Sequence, residues 1–223
     1  YRIAQLYPEM DYGFWAKLGF ENSDGGRGLG GIYGCIWETS LVNSFILAYD
    51  AIYPALDDPD VLSALSKQAG KPVTAAEVRA LFENDVIRQV HDSILNGRIR
   101  GNEGMHQNTM AIAAVVLDEP KTSEDWLDWV FKDGDARRPD QGGNMSGIFK
   151  TKVDDDGMGN EASPAYNSLW RNLFRSISDI LALYPKYTRN SFINNPKYKK
   201  MFQAPVRLGC IGKFSPHIGD TGS

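Results

Sequence analysis

Two segments of the chain carry ionisable side chains close to the start of predicted helices. Gly101-Asn-Glu-Gly-Met-His-Gln-Asn108 places His106 in a first helical turn among polar neighbours. The helix macrodipole there disfavours the imidazolium, so the ring stays neutral and is able to act as a base. Ser163-Pro-Ala-Tyr-Asn167 places Tyr166 in the first turn after a Ser-Pro cap, at the mouth of a helical array. Each residue taken alone is also compatible with a structural role.

Further polar and aromatic residues at helix starts could contact a ligand. Trp37 and Glu38 open a helix, where the indole could stack on a sugar ring and the carboxylate could accept hydroxyl hydrogen bonds. The alternative is a packed tryptophan beside a glutamate that the macrodipole favours. Asn102 and His106 are four residues apart, so both project from one face if the helix begins near Asn102. Gln107 lies beside them.

Metal ligands are not indicated by the sequence. Asp154-Asp-Asp-Gly-Met-Gly-Asn-Glu161 offers alternate oxygens around a glycine turn, which suits calcium. It lacks the bidentate glutamate that a calcium loop carries at its twelfth position, and this favours a solvated turn. Cys35 and Cys210 are far apart and give neither a disulfide framework nor zinc-ligand spacing. The sequence therefore predicts no metal site.

Apolar residues recur three and four positions apart over much of the chain, which is typical of amphipathic helices. Thr74 and Glu77 have capping-box spacing, and Ser123 could cap a fourth helix. The predicted helices span 37–53, 74–96, 105–117, 123–131, 163–185 and, as a short element, 196–202. Residues 132–162 have little periodicity and are predicted to be irregular. Because strand-like alternation is scarce, the sequence predicts an all-α array of helical hairpins.

The amino-acid composition of the chain argues against two classes of protein, nucleic-acid binders and membrane-spanning proteins. The chain has 223 residues, with 24 Lys or Arg against 28 Asp or Glu and a formal net charge of -4. This balance argues against a globally basic nucleic-acid binder. No apolar run approaches the roughly 20 residues that span a bilayer, so no membrane segment is predicted. Because the chain starts at Tyr1 and ends in a glycine-rich loop, we expect it to be a segment of a longer protein.

Three motifs taken together resemble one protein family. They are Ile36-Trp-Glu38, Gly101-Asn-Glu-Gly-Met-His-Gln107 and Asp156-Gly-Met-Gly-Asn-Glu-Ala-Ser-Pro-Ala-Tyr-Asn167. Their order and separation, within residues 30–185, resemble the helical domain of heparinase II/III-like polysaccharide lyases, which are similar in fold to alginate and chondroitin lyases. The resemblance implies an incomplete (α/α) toroid as a partial catalytic domain over residues 1–205. Residues 206–223 would then be an exit segment towards an absent β-rich domain.

The resemblance also implies a reaction. Lyases of this kind remove the C5 proton of a uronic acid and expel the C4 glycosidic oxygen by β-elimination, which leaves an unsaturated uronate. His106 and Tyr166 would be the acid/base pair, with Tyr166 favoured as the proton donor. Asn102, or else Gln107, would hydrogen-bond the uronate carboxylate. The sugar would be contacted by Trp37, Glu38 and Asn167.

Substrate, partners and location follow from the same resemblance. The substrate would be an anionic polysaccharide of glycosaminoglycan or alginate type, and the protein would be periplasmic or secreted. No cofactor is implied in this segment, although a structural metal in the absent β-rich domain is compatible with the family. The remaining partner would be the rest of the chain, a β-sandwich domain. Many relatives carry an asparagine just before the histidine, where this chain has Met105.

Two other functions stay open. A toroid glycoside hydrolase would use two carboxylates, such as Glu38 and Glu103, on either side of a glycosidic bond. A non-catalytic glycan-binding helical domain would bind without turnover. Of the other histidines, His217 could lie at the cleft or begin a linker, and His91, in an amphipathic helix, is most simply structural.

Overall fold

A computed structural model of the chain describes residues 1–17, 30–135, 138–161, 163–209, 212–214 and 216–219. These residues are mostly helical, and their β structure is limited to isolated bridges such as Asp135–Arg138 and Val153–Gly159. The predicted all-α class is therefore confirmed. Cys210 and residues 220–223 of the predicted exit segment lie outside the described residues.

Helices of very different lengths follow one another along the chain. The α-helices are α1 (Arg2–Leu6), α2 (Tyr12–Lys17), α3 (Cys35–Ile52), α4 (Pro59–Ala69), α5 (Ala75–Phe82), α6 (Gln89–Leu95), α7 (Met105–Leu117), α8 (Pro120–Phe131), α9 (Met145–Thr151), α10 (Pro164–Leu183) and α11 (Pro196–Leu208). Two 3₁₀ helices, Tyr7–Glu9 and Tyr53–Asp57, follow α1 and α3. A π-helix, Glu83–Arg88, joins α5 to α6 without a break. The chain divides into two compact units.

The first unit comprises Tyr1–Gly101 and Ile112–Glu119. Its core is formed by the apolar sides of α3 and of the continuous helix made by α5, the π-helix and α6. Fully buried side chains there include Val42, Ile46, Val86, Ile87, Val90 and Ile94. The predicted capping box is confirmed, because the Thr74 hydroxyl accepts the Glu77 N–H and the Glu77 carboxylate accepts the Thr74 N–H. This cap fixes where the continuous helix begins.

The second unit comprises Asn102–Ala111 and the described residues from Pro120 onward. α10 packs on α11, and α8 packs on α9. An aromatic cluster fills the space between α9, α10 and α11 and consists of Phe149, Phe174, Phe192 and Tyr198. Ring centroids in this cluster lie 5.0 to 6.3 Å apart, mostly in tilted or edge-on arrangements that aromatic quadrupoles favour. The cluster contacts the middle of α10 at Phe174, about two helical turns after Tyr166.

The helices that carry the predicted site have the predicted starts. α7 spans Met105–Leu117 as expected, and α10 begins at Pro164 with Ser163 in the N-cap position. The Ser163 side chain makes no capping hydrogen bond to α10. The prediction that Ser123 caps the fourth helix is wrong, because α8 begins at Pro120 and Ser123 is buried inside it. Pro120 takes the first helical position, where its missing N–H is not needed.

Other helices were missed or were predicted too short. The prediction that residues 132–162 are irregular is wrong for α9, which lies inside that stretch. α9 spans only two turns, so its buried Met145, Ile148 and Phe149 are too few to show a period. α11 continues to Leu208 through Pro205, well past the predicted end at residue 202. α1, α2 and α4 were also not predicted.

Candidate active site

The candidate site in the second unit is built on the tight turn that leads into α7. Gly104 adopts a φ of 94°, a left-handed conformation that side chains other than glycine rarely take. The Asn108 N–H then bonds to the Gly104 carbonyl oxygen at 2.8 Å. Because α7 begins at Met105, Asn102 lies in the preceding turn, and its carbonyl oxygen accepts the Met105 N–H at 3.0 Å. Asn102 and His106 therefore do not project from one face of a single helix.

His106 lies in the first turn of α7 and is only 3% exposed. Its ring meets the Trp129 ring edge-on with centroids 6.2 Å apart. Within the described part of the chain, its Nδ1 atom has no hydrogen-bond partner. Burial lowers the pKa of His106 to about 4. At neutral pH the imidazole is therefore uncharged, which is the protonation state that a base requires, and its unbonded Nδ1 atom is enclosed by the protein.

The buried histidine predicts a specific acid sensitivity. An unfolded histidine titrates near pH 6.5 and the folded His106 near pH 4, so the unfolded state binds more protons between these values and stability falls as the pH falls through that window. The shift corresponds to roughly 3 kcal/mol in the free energy of unfolding. Urea unfolding at the two ends of the window measures it. The variant His106→Gln is expected to lose this component of the pH dependence.

The matched control for this measurement is His217→Gln, since His217 is exposed. The control should keep the pH dependence of the parent chain. Equal loss of stability on acidification in the parent and in His106→Gln would show that His106 is not held neutral by burial.

Gln107 is committed to contacts inside the protein. Its side-chain oxygen accepts the Gly104 N–H at 3.0 Å, and its amide nitrogen donates to the Gly143 carbonyl oxygen at 2.8 Å. The Gly143 N–H in turn donates to the Trp129 carbonyl oxygen at 2.7 Å. The Trp129 indole N–H bonds to the Pro139 carbonyl oxygen at 2.8 Å. Gln107 and Trp129 thus hold the loop after α8 next to the first turn of α7.

The loop before α10 is organised by Asn167. The Asn167 side-chain oxygen accepts the Gly159 N–H, and its amide nitrogen donates to the carbonyl oxygens of Glu161 and Ser163, each at 2.9 Å. The residue is 8% exposed, so these bonds are shielded from water. Tyr166, half-buried, is the preceding residue on α10. Asn167 therefore fixes the backbone from which the Tyr166 side chain projects.

The turn before His106 lies directly against α10. A Cβ atom added to Gly104 would come within 2.8 Å of the Phe174 ring and 2.9 Å of the Leu173 Cβ. Tyr166 and Leu173 are separated by about two helical turns, since an α-helix repeats every 3.6 residues, and they lie on one side of α10. The turn that precedes His106 therefore packs on α10 at Leu173 and Phe174, about two helical turns after Tyr166. Glu103 strengthens the arrangement by an ion pair with Lys152 at the end of α9.

Gly104→Ala tests this packing. The methyl group would collide with α10 and would also occupy a left-handed φ, so the free energy of unfolding should fall by about 2–4 kcal/mol. Gly70→Ala is the matched control, because Gly70 has a φ of 70° but nothing within 4 Å of the added Cβ. Chemical unfolding of both variants should show only about 1–2 kcal/mol for the control. Equal losses would mean that the Gly104 turn does not press on α10.

Trp37 and Glu38 belong to the first unit and differ sharply in exposure. The Trp37 side chain is 54% exposed, whereas Glu38 is 0% exposed. The Glu38 carboxylate accepts the Tyr7 hydroxyl at 3.0 Å and the Tyr33 N–H at 2.6 Å. It also accepts the Ile32 N–H, at 3.1 and 3.2 Å to its two oxygens. Glu38 is therefore an internal anchor for the glycine-rich segment before α3.

The acidic turn predicted to be solvated is bound by lysines of α11. Residues 154–156 are exposed and form a turn in which the Gly157 N–H bonds to the Asp154 carbonyl oxygen. The Lys197 and Lys200 ammonium groups donate to the carbonyl oxygens of Val153 and Asp155, each at 2.6 Å.

Across the described residues, no group of three or more His, Cys, Asp or Glu side chains is arranged to hold a metal ion.

The other two histidines of the chain lie elsewhere. His91, on α6, has its Nδ1 atom 2.8 Å from the Asp92 carboxylate. His217 is exposed near the end of the described chain.

No helix among the described residues is both long and apolar enough to cross a bilayer.

Several residues that shape the site carry no local sequence signal. Tyr7 reaches Glu38 from 31 positions away, and Trp129 contacts His106 from another helix. Gly143 and Lys152 engage the α7 turn only through tertiary contacts. Such contacts leave no periodicity, although the glycines at close backbone approaches are a weak signal.

Comparison of the chain with known protein families, curated proteins and solved structures found no match.

Proposed function

We propose that the chain is the helical catalytic part of a lyase that cleaves a uronic-acid-containing anionic polysaccharide by β-elimination. The observation that carries the proposal is the neutral, buried His106, whose turn packs on the helix that bears Tyr166. A neutral base and a phenol are the groups that such an elimination needs. The resemblance of the surrounding motifs to heparinase II/III-like lyases supports the same function.

In the proposed reaction, the C5–H bond of the uronate breaks and its electron pair forms the C4–C5 double bond. The C4–O bond breaks, and the departing oxygen takes up a proton. Tyr166 is the proton donor, and His106 accepts the C5 proton or assists its removal, depending on the epimer at C5. The reaction consumes no water and changes no overall oxidation state.

Asn102 and Gln107 are the two candidates for binding the substrate carboxylate. Both ends of the Gln107 amide are already bonded to the backbone, so we assign the carboxylate contact to Asn102. Asn102 is half-buried in the turn beside His106. A hydrogen-bond donor there would stabilise the negative charge that develops on the carboxylate as C5 loses its proton. Asn167 and Glu38 are assigned to positioning, and Trp37 to stacking on sugar.

The hydrolase alternative has less support. The Glu38 carboxylate already accepts hydrogen bonds from the Tyr7 hydroxyl and the Tyr33 N–H. Glu103 is ion-paired with Lys152. A glycosidase needs one carboxyl group poised to donate a proton and a second that is free to act on water or sugar.

The domain arrangement and location belong to the same proposal. We propose that the helical hairpins form part of an (α/α) toroid, continued by a β-rich domain that closes one side of the cleft. A periplasmic or secreted location would bring the enzyme to its polysaccharide.

A substrate screen tests the proposed function. Alginate, heparan sulfate, chondroitin sulfate and hyaluronan are incubated with the full-length protein, and ultraviolet absorbance is followed. Elimination creates a double bond conjugated to the uronate carboxylate, so absorbance should rise on at least one of them. New chain ends that form without a rise in absorbance would support hydrolysis instead. Binding without new ends would support a glycan-binding domain.

A further inference from the structure

The His106 imidazole lacks a hydrogen bond of the kind that orients a histidine base. In many enzymes the ring nitrogen that faces away from the substrate bonds to a carboxylate or to a backbone carbonyl oxygen, which fixes the plane of the ring. Within the described residues, the enclosed Nδ1 atom of His106 has no such partner. The orientation of this ring therefore depends on the side chains that pack against it.

The Trp129 side chain packs against the His106 ring. The two ring centroids lie 6.2 Å apart and the ring planes meet at 64°, an edge-on arrangement that aromatic quadrupoles favour. Both side chains are buried, since only 3% of His106 and 8% of Trp129 is exposed. An indole turns about only two side-chain bonds, so it forms a stiff wall once it is held.

Trp129 is itself held by the loop that follows α8. Its indole N–H donates to the Pro139 carbonyl oxygen at 2.8 Å, and its backbone carbonyl oxygen accepts the Gly143 N–H at 2.7 Å. A Cβ atom added to Gly143 would lie 3.1 Å from the six-membered ring of the indole, so the loop backbone packs directly on that ring. The indole therefore has little freedom to turn.

The same loop also holds the residue that follows His106. The Gln107 amide nitrogen donates to the Gly143 carbonyl oxygen at 2.8 Å, so Gly143 is bonded to both Gln107 and Trp129. The contacts form a closed circuit, which runs from the His106 ring to the indole, through Gly143 to Gln107 and back along α7. Because the circuit is closed, neither ring can turn without disturbing contacts of the other.

We propose that Trp129 is the positioning residue for His106 and that it holds the imidazole in the orientation that proton transfer requires. The use of that orientation rests on the proposed function, whereas the packing itself does not. A base works only when its lone pair is aimed at the proton, and a misplacement of about 1 Å can lower the rate by about a hundredfold. Burial is also what lowers the pKa of His106, so the same contact helps to keep the ring neutral.

Two substitutions of Trp129 in the full chain test the inference with two readouts. The chain has three histidines, so the NMR signals of the His106 ring protons can be assigned by comparison with His106→Gln. Trp129→Leu removes the indole and admits water, so the pKa of His106 should rise from about 4 towards 6.5. The same variant should lower kcat by about tenfold to a hundredfold with little change in KM. Trp129→Phe keeps an aromatic edge but loses the bond to Pro139, so both effects should be smaller.

Phe131→Leu is the matched control. It removes a buried ring from the end of α8, where Phe131 packs on Phe192 with centroids 6.2 Å apart. This variant should lose stability but keep the parent kcat and the parent pKa of His106. Thermal unfolding shows which variants are folded, and Trp129→Phe carries the test if Trp129→Leu does not fold.

The outcomes separate the positioning role from the proposed function. An unchanged His106 pKa in the folded Trp129 variants, with cleavage by the parent that depends on His106, would overturn the positioning role alone. Equal losses of kcat in Trp129→Leu and Phe131→Leu would also overturn it, because they would reflect general loosening of the unit. A raised His106 pKa in the Trp129 variants of a protein that cleaves none of the screened polysaccharides would support the packing role of Trp129 and overturn the lyase.

Discussion

Replacement of Tyr166 by phenylalanine is expected to lower kcat for polysaccharide cleavage by about a hundredfold to ten-thousandfold, the range that a positioned acid–base group supplies. The substitution keeps the ring and removes only the phenol that we assign to protonating the departing oxygen. The fold should change little, because Asn167, which organises the preceding loop, is unaltered. Initial rates from ultraviolet absorbance at saturating substrate measure the effect.

Tyr187→Phe is the control for this substitution. It removes a phenol from the same unit, where the Tyr187 hydroxyl donates to the Asp128 carboxylate at 2.8 Å. We expect this variant to lose some stability and to keep the parent kcat. If Tyr166→Phe retains full activity on a substrate that the parent cleaves, the role assigned to Tyr166 is wrong.

The second large effect is expected for Glu38→Ala. This substitution leaves the Tyr7 hydroxyl and the N–H groups of Ile32 and Tyr33 without their acceptor in a buried site. Burial and the Glu38 carboxylate raise the pKa of Tyr7, so the phenol remains a donor that needs this acceptor. The free energy of unfolding should fall by about 3–5 kcal/mol, the cost of removing one partner from a buried charged network. Urea unfolding at neutral pH measures the loss.

Glu9→Ala provides the comparison, since Glu9 is exposed on the 3₁₀ helix after α1. Its unfolding free energy should stay within about 0.5 kcal/mol of the parent value. A Glu38→Ala variant that is as stable as the parent but inactive would support the sugar contact that the family resemblance implies for Glu38.

Helices with strong local signals were predictable. The capping box of Thr74 and Glu77 pairs two N–H groups at the start of α5, and the proline at the start of α10 removes an N–H that would have no partner. Both signals are local, so the sequence reveals them directly. α9 was missed because two turns are too short for a period to emerge. Pro205 misled the prediction of α11, because a proline usually ends a helix.

The positions of the candidate residues on their helices were predictable from the sequence, whereas their contacts were not. Sequence placed His106 and Tyr166 in the first turns of α7 and α10, which is where they lie. It gave no sign that Gln107 is bonded to Gly143, because that bond spans 36 positions. It also left Glu38 open between sugar contact and packing, since only tertiary structure supplies Tyr7 as a donor. Roles that depend on distant partners cannot be read from local spacing.

The central claim is that the chain cleaves by elimination, and product mass tests it most directly. An oligosaccharide of known mass, prepared from the polysaccharide that the protein degrades, is cleaved once, and both fragments are measured by mass spectrometry. Elimination predicts fragment masses that sum to the mass of the substrate, with the double bond on the fragment that carried C4. A sum that exceeds the substrate by one water molecule would show hydrolysis and contradict the assignment.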